Sequence, residues 1–141
     1  MPSLPQTEDQ LRAKKAWEQV KAIKSDHPVV AKGYRAIVRS AGSDILKNGL
    51  GQTLAFYQAK AKGKADTEHA LLYSHLAAWL AKPIPSAEDT RYANNHLLEW
   101  LIKDADSDTY RQVTVEAIAY INWLKRFAEA TLPDPEEPNH G

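Results

Sequence analysis

A search for chemistry in this 141-residue chain begins with its five histidines and eighteen carboxylates, because it has no cysteine for a thiolate, a disulfide or a zinc ribbon. Their spacing suits no known site. There is no His-Glu-x-x-His, no pair of Glu-x-x-His motifs and no EF-hand loop. His69 and His75 stand six residues apart, which turns them roughly 240° from each other on a helix and keeps them from sharing a metal locally. Each reads as a surface or satisfied core histidine. Asp104, Asp106 and Asp108 alternate as a metal loop would, yet an acidic turn capping a helix needs no metal. Gly49-Leu50-Gly51 lacks the third glycine and the preceding strand of a dinucleotide site, and no serine sits on a nucleophile elbow. The expectation is a non-enzyme with no cofactor and no metal.

What remains is cation and aromatic on helices: Arg12, Lys15, Lys47, Gln52, Phe56, Lys60, Arg111 and Lys125. Single-stranded RNA is held by backbone neutralisation plus stacking, which uses these residue types and tolerates any sequence. Charge adds to this. Residues 1–64 hold 12 Lys/Arg against 5 Asp/Glu, and residues 65–141 hold 6 against 13. Such halves serve either a polyanion-binding surface or head-to-tail contact between copies, unless folding interleaves them. The 43% hydrophobic and 26% charged content is that of one soluble globular domain. No stretch approaches a membrane span and no leader opens the chain, so the expected location is cytoplasmic.

The pattern positions these residues on about six helices in an all-α, single-domain bundle over residues 1–132, with an acidic Pro-rich tail, 133–141, expected to be disordered. Thr7-Glu8-Asp9-Gln10 is a capping box that starts helix one, whose buried stripe is Ala13, Ala16, Trp17, Val20 and Ile23. Lys15 and Gln19 lie on its flank with Arg12. After Asp26-His27-Pro28 helix two runs from Val29, with Tyr34, Ile37, Val38 and Ala41 inward, Arg35 outward and a kink expected at Gly42-Ser43-Asp44. Asn48-Gly49 stops it, and helix three follows at once with Leu50, Leu54, Tyr57 and Ala61 on its core face. Gln52, Phe56 and Lys60 form a line on the other side, where an aromatic is ordinarily core packing and otherwise a partner contact. Asp66 is expected to cap helix four and Ser86 helix five, with Tyr92, Leu97, Leu98, Leu101 and Ile102 inward on the latter. Helix six keeps Tyr110, Val113, Ala117, Tyr120, Ile121, Leu124 and Ala128 on one side, beside a strip of Arg111, Thr114, Ile118 and Lys125.

Two stretches carry a family resemblance. Asn48-Gly49-Leu50-Gly51-Gln52-Thr53-Leu54-Ala55-Phe56 followed by Lys60, and Tyr110-Arg111-Gln112-Val113-Thr114-Val115-Glu116-Ala117 through Trp123-Leu124-Lys125-Arg126-Phe127-Ala128, closely resemble the small subunit of the Cmr complex, the type III-B CRISPR RNA-guided effector. Arg12 and the Ala16-Trp17 helix resemble that family's opening helix, while helices four and five match only in length and pattern. The resemblance implies a non-catalytic structural subunit whose copies stack head to tail as an inner filament. Its partners would be the guide-RNA-holding backbone subunits, the large subunit and target single-stranded RNA. The implied basic face is Arg12, Lys47, Lys60, Arg111 and Lys125, with Gln52 and Thr114 as polar contacts; Lys15 joins it from the flank of helix one. Apart from the resemblance, the interface candidates are Phe56 and Trp123 as aromatic anchors, Glu116 as an ion-pair partner or a solvated carboxylate, and Glu99 and Asp106 from the acidic half of the charge split. Under the alternative, a helical adaptor without RNA contact, the lysines are solvated and Phe56 and Trp123 are protein anchors.

Overall fold

The computed structural model describes residues 4–80 and 96–135, and among these every regular element is helical. Helix α1 spans Glu8–Asp26, α2 Ala31–Asn48, α3 Leu50–Ala61, α4 Glu68–Leu80, α5 Leu97–Lys103 and α6 Ser107–Thr131, with a 3₁₀ turn at Pro28–Val30. The capping box closes as the sequence predicts: Gln10 N–H donates to the Thr7 hydroxyl at 3.1 Å, and Thr7 N–H donates to Gln10 Oε1 at 2.8 Å. Asp106 caps α6 by accepting from Thr109 N–H at 2.7 Å, satisfying a donor that the first turn leaves open.

Helix α6 is the centre of the bundle. Val113, Ala117, Tyr120, Ile121, Leu124 and Ala128 are all buried on it, and it lies against α1 on one side and α2 on the other. Arg12 in the first half of α1 meets Glu116 in the first half of α6, while Lys24 and Thr131 share a cleft near the two helix ends, so these helices run in the same direction. Helix α2 runs against them, because Arg35 reaches Leu132 O at 3.0 Å and the α2–α3 junction meets Tyr110. Helix α4 covers α2, α3 and α6. The basic and acidic halves of the sequence are therefore interleaved where α6 sits between α1 and α2.

Several side chains differ from the sequence reading. Trp17 is 41% exposed instead of core, with its ring edge-on to Phe127 at 5.1 Å. Its place in the buried stripe goes to Gln19, which lies three residues after Ala16 and four before Ile23 on the same face. Phe56 is 51% and Ile102 65% exposed, so neither is core. At Gly42-Ser43-Asp44 helix α2 does not break, as a kinked but continuous helix requires. The cap of α4 is Thr67, whose hydroxyl accepts from Ala70 N–H at 3.1 Å, one residue later than the expected Asp66. Arg35 faces inward to Leu132 and also lies 4.0 Å from Asp134. The expected Ser86 cap and Tyr92 lie outside the described residues.

Candidate nucleic-acid interface

The two resembling stretches meet in space at the α2–α3 junction. Gly49 has φ 89° and ψ 156°, a backbone conformation essentially reserved for glycine. Its N–H donates to Ile45 O, ending α2, and its carbonyl accepts from both the backbone N–H and the hydroxyl of Thr53, opening α3. Gly51 N–H, one of the donors a helix start cannot satisfy internally, donates to the Tyr110 hydroxyl at 2.8 Å. A Cβ on Gly51 would stand 3.0 Å from that oxygen. One glycine thus serves backbone geometry and the other the approach of α6. We expect Gly51→Ala to cost about 1–2 kcal/mol in the wild-type background and less in Tyr110→Phe, where the obstructing hydroxyl is gone. Urea denaturation of both single variants and the double variant checks this, and strict additivity would contradict the contact.

This junction gathers part of the candidate set. Lys47 in the last turn of α2 and Gln52 in the first turn of α3 are exposed, and Arg111 in the first turn of α6 is exposed beside Tyr110. Arg111 bonds Asp108 at 3.0 Å, an exposed pair that contributes little and exchanges readily. The half-buried Thr114 donates its hydroxyl to Tyr110 O at 2.9 Å. The line on α3 is present as read: Gln52, Phe56 and Lys60 are all exposed, and Lys60 Nζ sits 5.6 Å over the Phe56 ring. Lys125 is half-buried on α6, about 21 Å along the helix from Arg111. Lys15 is half-buried on α1, close enough to His75 for its charge to act on that ring. Among the described residues Lys15, Lys47 and Lys125 have no ion-pair partner.

Arg12 is placed otherwise. Its Nε and Nη2 donate to the two oxygens of Glu116 at 2.6 and 2.8 Å, and Nη1 lies 3.3 Å from Asp9. Glu116 Oε2 also accepts from Trp79 Nε1 at 2.9 Å. Both partners are about four-fifths covered. The hydrogen bonds from Arg12 hold the Glu116 carboxyl below the usual carboxylate range against the opposing effect of burial, and the Arg12 guanidinium is raised correspondingly, first by its bond to Glu116. Trp123 donates to Asp9 at 2.9 Å and stacks on Phe127 at 5.5 Å. Glu116 and Trp123 thus both have partners within the chain, where they join α6 to α1 and α4. Glu99 pairs with Lys103 at 3.0 Å, while Asp106 is the α6 cap. Among the described residues no group of His, Asp and Glu is placed to hold a metal, and no helix is long and apolar enough to cross a membrane.

The family described as CRISPR-associated protein (Cas_Cmr5) matches residues 8–131, nearly the whole helical region. The chain belongs to the Cmr5 family. A crystal structure of a CRISPR-associated Cmr5 family protein from Thermus thermophilus superposes with a TM-score of 0.68 at 27% identity, over 91% of this chain and 100% of that one. The likeness to the small subunit of the Cmr complex holds, and the all-α fold with it.

This Cmr5-family chain also contains a buried polar relay that helix periodicity did not reveal. The Tyr120 hydroxyl donates to Gln19 Oε1, and Gln19 Nε2 donates to His75 O at 3.3 Å. The His75 Nδ1 lies 2.7 Å from the Tyr34 hydroxyl. Trp79 stacks on Tyr120 at 5.0 Å, nearly parallel. Four helices are tied by these contacts. The available signal was Gln19 itself, a polar residue in register with an apolar stripe, which marks a satisfied buried group.

Proposed function

We propose that this chain is a non-catalytic structural subunit of a type III-B CRISPR effector, working in the cytoplasm without cofactor. In this reading it stacks head to tail with further copies beside the guide-RNA-holding subunits and lends a basic face to target single-stranded RNA. Membership of the Cmr5 family over residues 8–131 supports the place in the complex. The observation that carries the RNA contact is the exposed α3 line of Gln52, Phe56 and Lys60, with Lys47 just ahead of it across the junction. Arg111, Thr114 and Lys125 extend this face along α6, and Lys15 adds a cation on α1. Arg12 contributes by holding α6 in place through Glu116 instead of by meeting phosphate.

Target-RNA affinity of the reconstituted effector, measured against salt, tests this. With Lys47, Lys60 and Arg111 changed to Ala, the logarithmic salt slope should flatten by about 2, at ~0.7 per lost contact. Equal slopes and affinities in an assembled complex would leave these cations as plain solvated surface. For the stacking, Glu99→Lys is the informative change, since Asp106→Lys would also remove the α6 cap. Unaltered self-association and salt dependence in Glu99→Lys would discard a role for that carboxylate between copies. The adaptor reading keeps one specific support, the exposed Trp17 edge-on to Phe127, a surface aromatic pair of the kind that anchors protein contacts.

A further inference from the structure

A cleft of ≈ 310 Å³ opens between the end of α2 and the start of α3, lined by Asp44, Asn48, Gln52, Thr53 and Phe56. Its composition is specific. One wall is an aromatic ring, 51% exposed, and the rim holds a carboxylate and two primary amides. Lys60, in the following helical turn, has its Nζ 5.6 Å from the Phe56 ring centroid and is not part of the cleft lining, while Gln52, one turn before Phe56, is. Thr53 cannot turn its hydroxyl outward, because it donates to Gly49 O at 2.9 Å, and it forms a fixed floor. His69 meets the Phe56 ring at 5.9 Å in an edge arrangement, which restricts how the ring can turn.

Resting on the RNA-contact reading, we propose that this cleft receives one unpaired nucleobase of the RNA, stacked on Phe56, with preference for the guanine edge opposite Asp44. Stacking on an aromatic accepts any base, because every base has a π-face. The carboxylate adds choice. Ionised, it only accepts hydrogen bonds, and guanine alone among the four bases presents two adjacent Watson–Crick donors, N1–H and N2–H, to its two oxygens. Adenine, cytosine and uracil offer one donor group there. Asn48 and Gln52 supply both donors and acceptors for the remaining edge atoms. A cationic protein side chain is the competing occupant of an aromatic and carboxylate cleft. Lys60 over the ring and Lys47 beside the junction disfavour it by like charge, whereas both favour the phosphates that accompany a base.

The test is an amide NMR titration of the full chain at low salt with short oligouridylates carrying one central guanosine, adenosine, cytidine or uridine. We expect the guanosine oligomer to shift the amides of residues 48–56 and to bind about tenfold more tightly than the all-uridine one. Phe56→Ala should weaken every oligomer about tenfold. Asp44→Asn should abolish the guanosine preference, and Lys60→Ala should weaken all oligomers by one factor while keeping it. If the oligomers bind through Lys47 and Lys60 with no dependence on the central base, the cleft proposal falls and the RNA reading stands. If Phe56→Ala leaves RNA binding intact but blocks incorporation into the effector, a protein side chain occupies the cleft and the proposal falls. If no oligomer shifts any amide and the assembled effector is equally indifferent to the cation changes, both readings fall together.

Discussion

Glu116→Ala is expected to destabilise the bundle by about 2–3 kcal/mol, one of the two largest effects the structure implies. Removing one member of a covered ion pair strands the other, a loss of about 3–5 kcal/mol when burial is complete. The lower figure applies because the Arg12 and Glu116 side chains remain 19% and 20% exposed. The same change removes the Glu116 oxygen that accepts from Trp79 Nε1 at 2.9 Å, and loss of that hydrogen bond adds to the cost. Arg12→Ala made in the Glu116→Ala background should then cost well under 1 kcal/mol, since its partner is already gone. Glu116→Gln keeps the shape and an acceptor for Trp79, so it should fall between wild type and alanine. Urea midpoints at constant m-value report wild type, Glu116→Ala, Arg12→Ala, the double variant and Glu116→Gln. If the two single changes proved additive, the pair would not be a clamp between α1 and α6.

Lowering the pH from 6.5 towards 4 is expected to remove about 2 kcal/mol of stability through His75. Burial is the first cause that depresses this imidazole from 6.5 to about 4, with the positive charges of His27 and Lys15 acting the same way. The unfolded chain therefore takes up a proton near 6.5 while the native chain does not. Stability falls between those two values as pH falls, at up to about 1.4 kcal/mol per unit for one proton. The partly exposed ring warrants less than the full product. Below about 4 the native ring is charged as well, and this contribution stops growing. Glu116 acts at lower pH. Its depressed carboxyl stabilises the fold above the ordinary carboxylate range, and this is lost as pH falls through the native value. In His75→Gln the loss between pH 6.5 and 4 should flatten; an unchanged slope would show that another group governs it.

Helix α6 was legible because its apolar residues recur without interruption, and Val113, Ala117, Tyr120, Ile121, Leu124 and Ala128 are all inward. The Thr7 box was legible because its two hydrogen bonds are local. Periodicity fixes which side of a helix is inward but not what stands opposite it. Arg12 and Glu116 lie 104 residues apart, and nothing in the spacing of either announces the pair. For the same reason Arg12 reads as one more surface cation in the sequence. Phe56 misled differently: aromatic type argued for core, whereas its position between Gln52 and Lys60 argued for surface, and position was the better guide. Trp17 shows the converse, since it sits beside a buried stripe yet its ring projects over Phe127 and remains half open. The exposed line on α3 was readable because it depends on one helix alone.

The pairing of α1 with α6 also governs how the chain can acquire its structure. Helix α1 buries Ala16, Gln19, Val20 and Ile23, and the helix it is most engaged with, α6, emerges from the ribosome only after α2 to α5. Until Ser107–Thr131 emerges, the α1 stripe and the facing side of α2 lack their cover. Closure of so long a loop is entropically expensive, and it slows folding relative to a bundle of sequence neighbours. The chain should thus remain protease-sensitive through most of its synthesis and become resistant only when α6 arrives. A truncation ending before Ser107 would behave as an aggregation-prone fragment instead of a smaller folded protein.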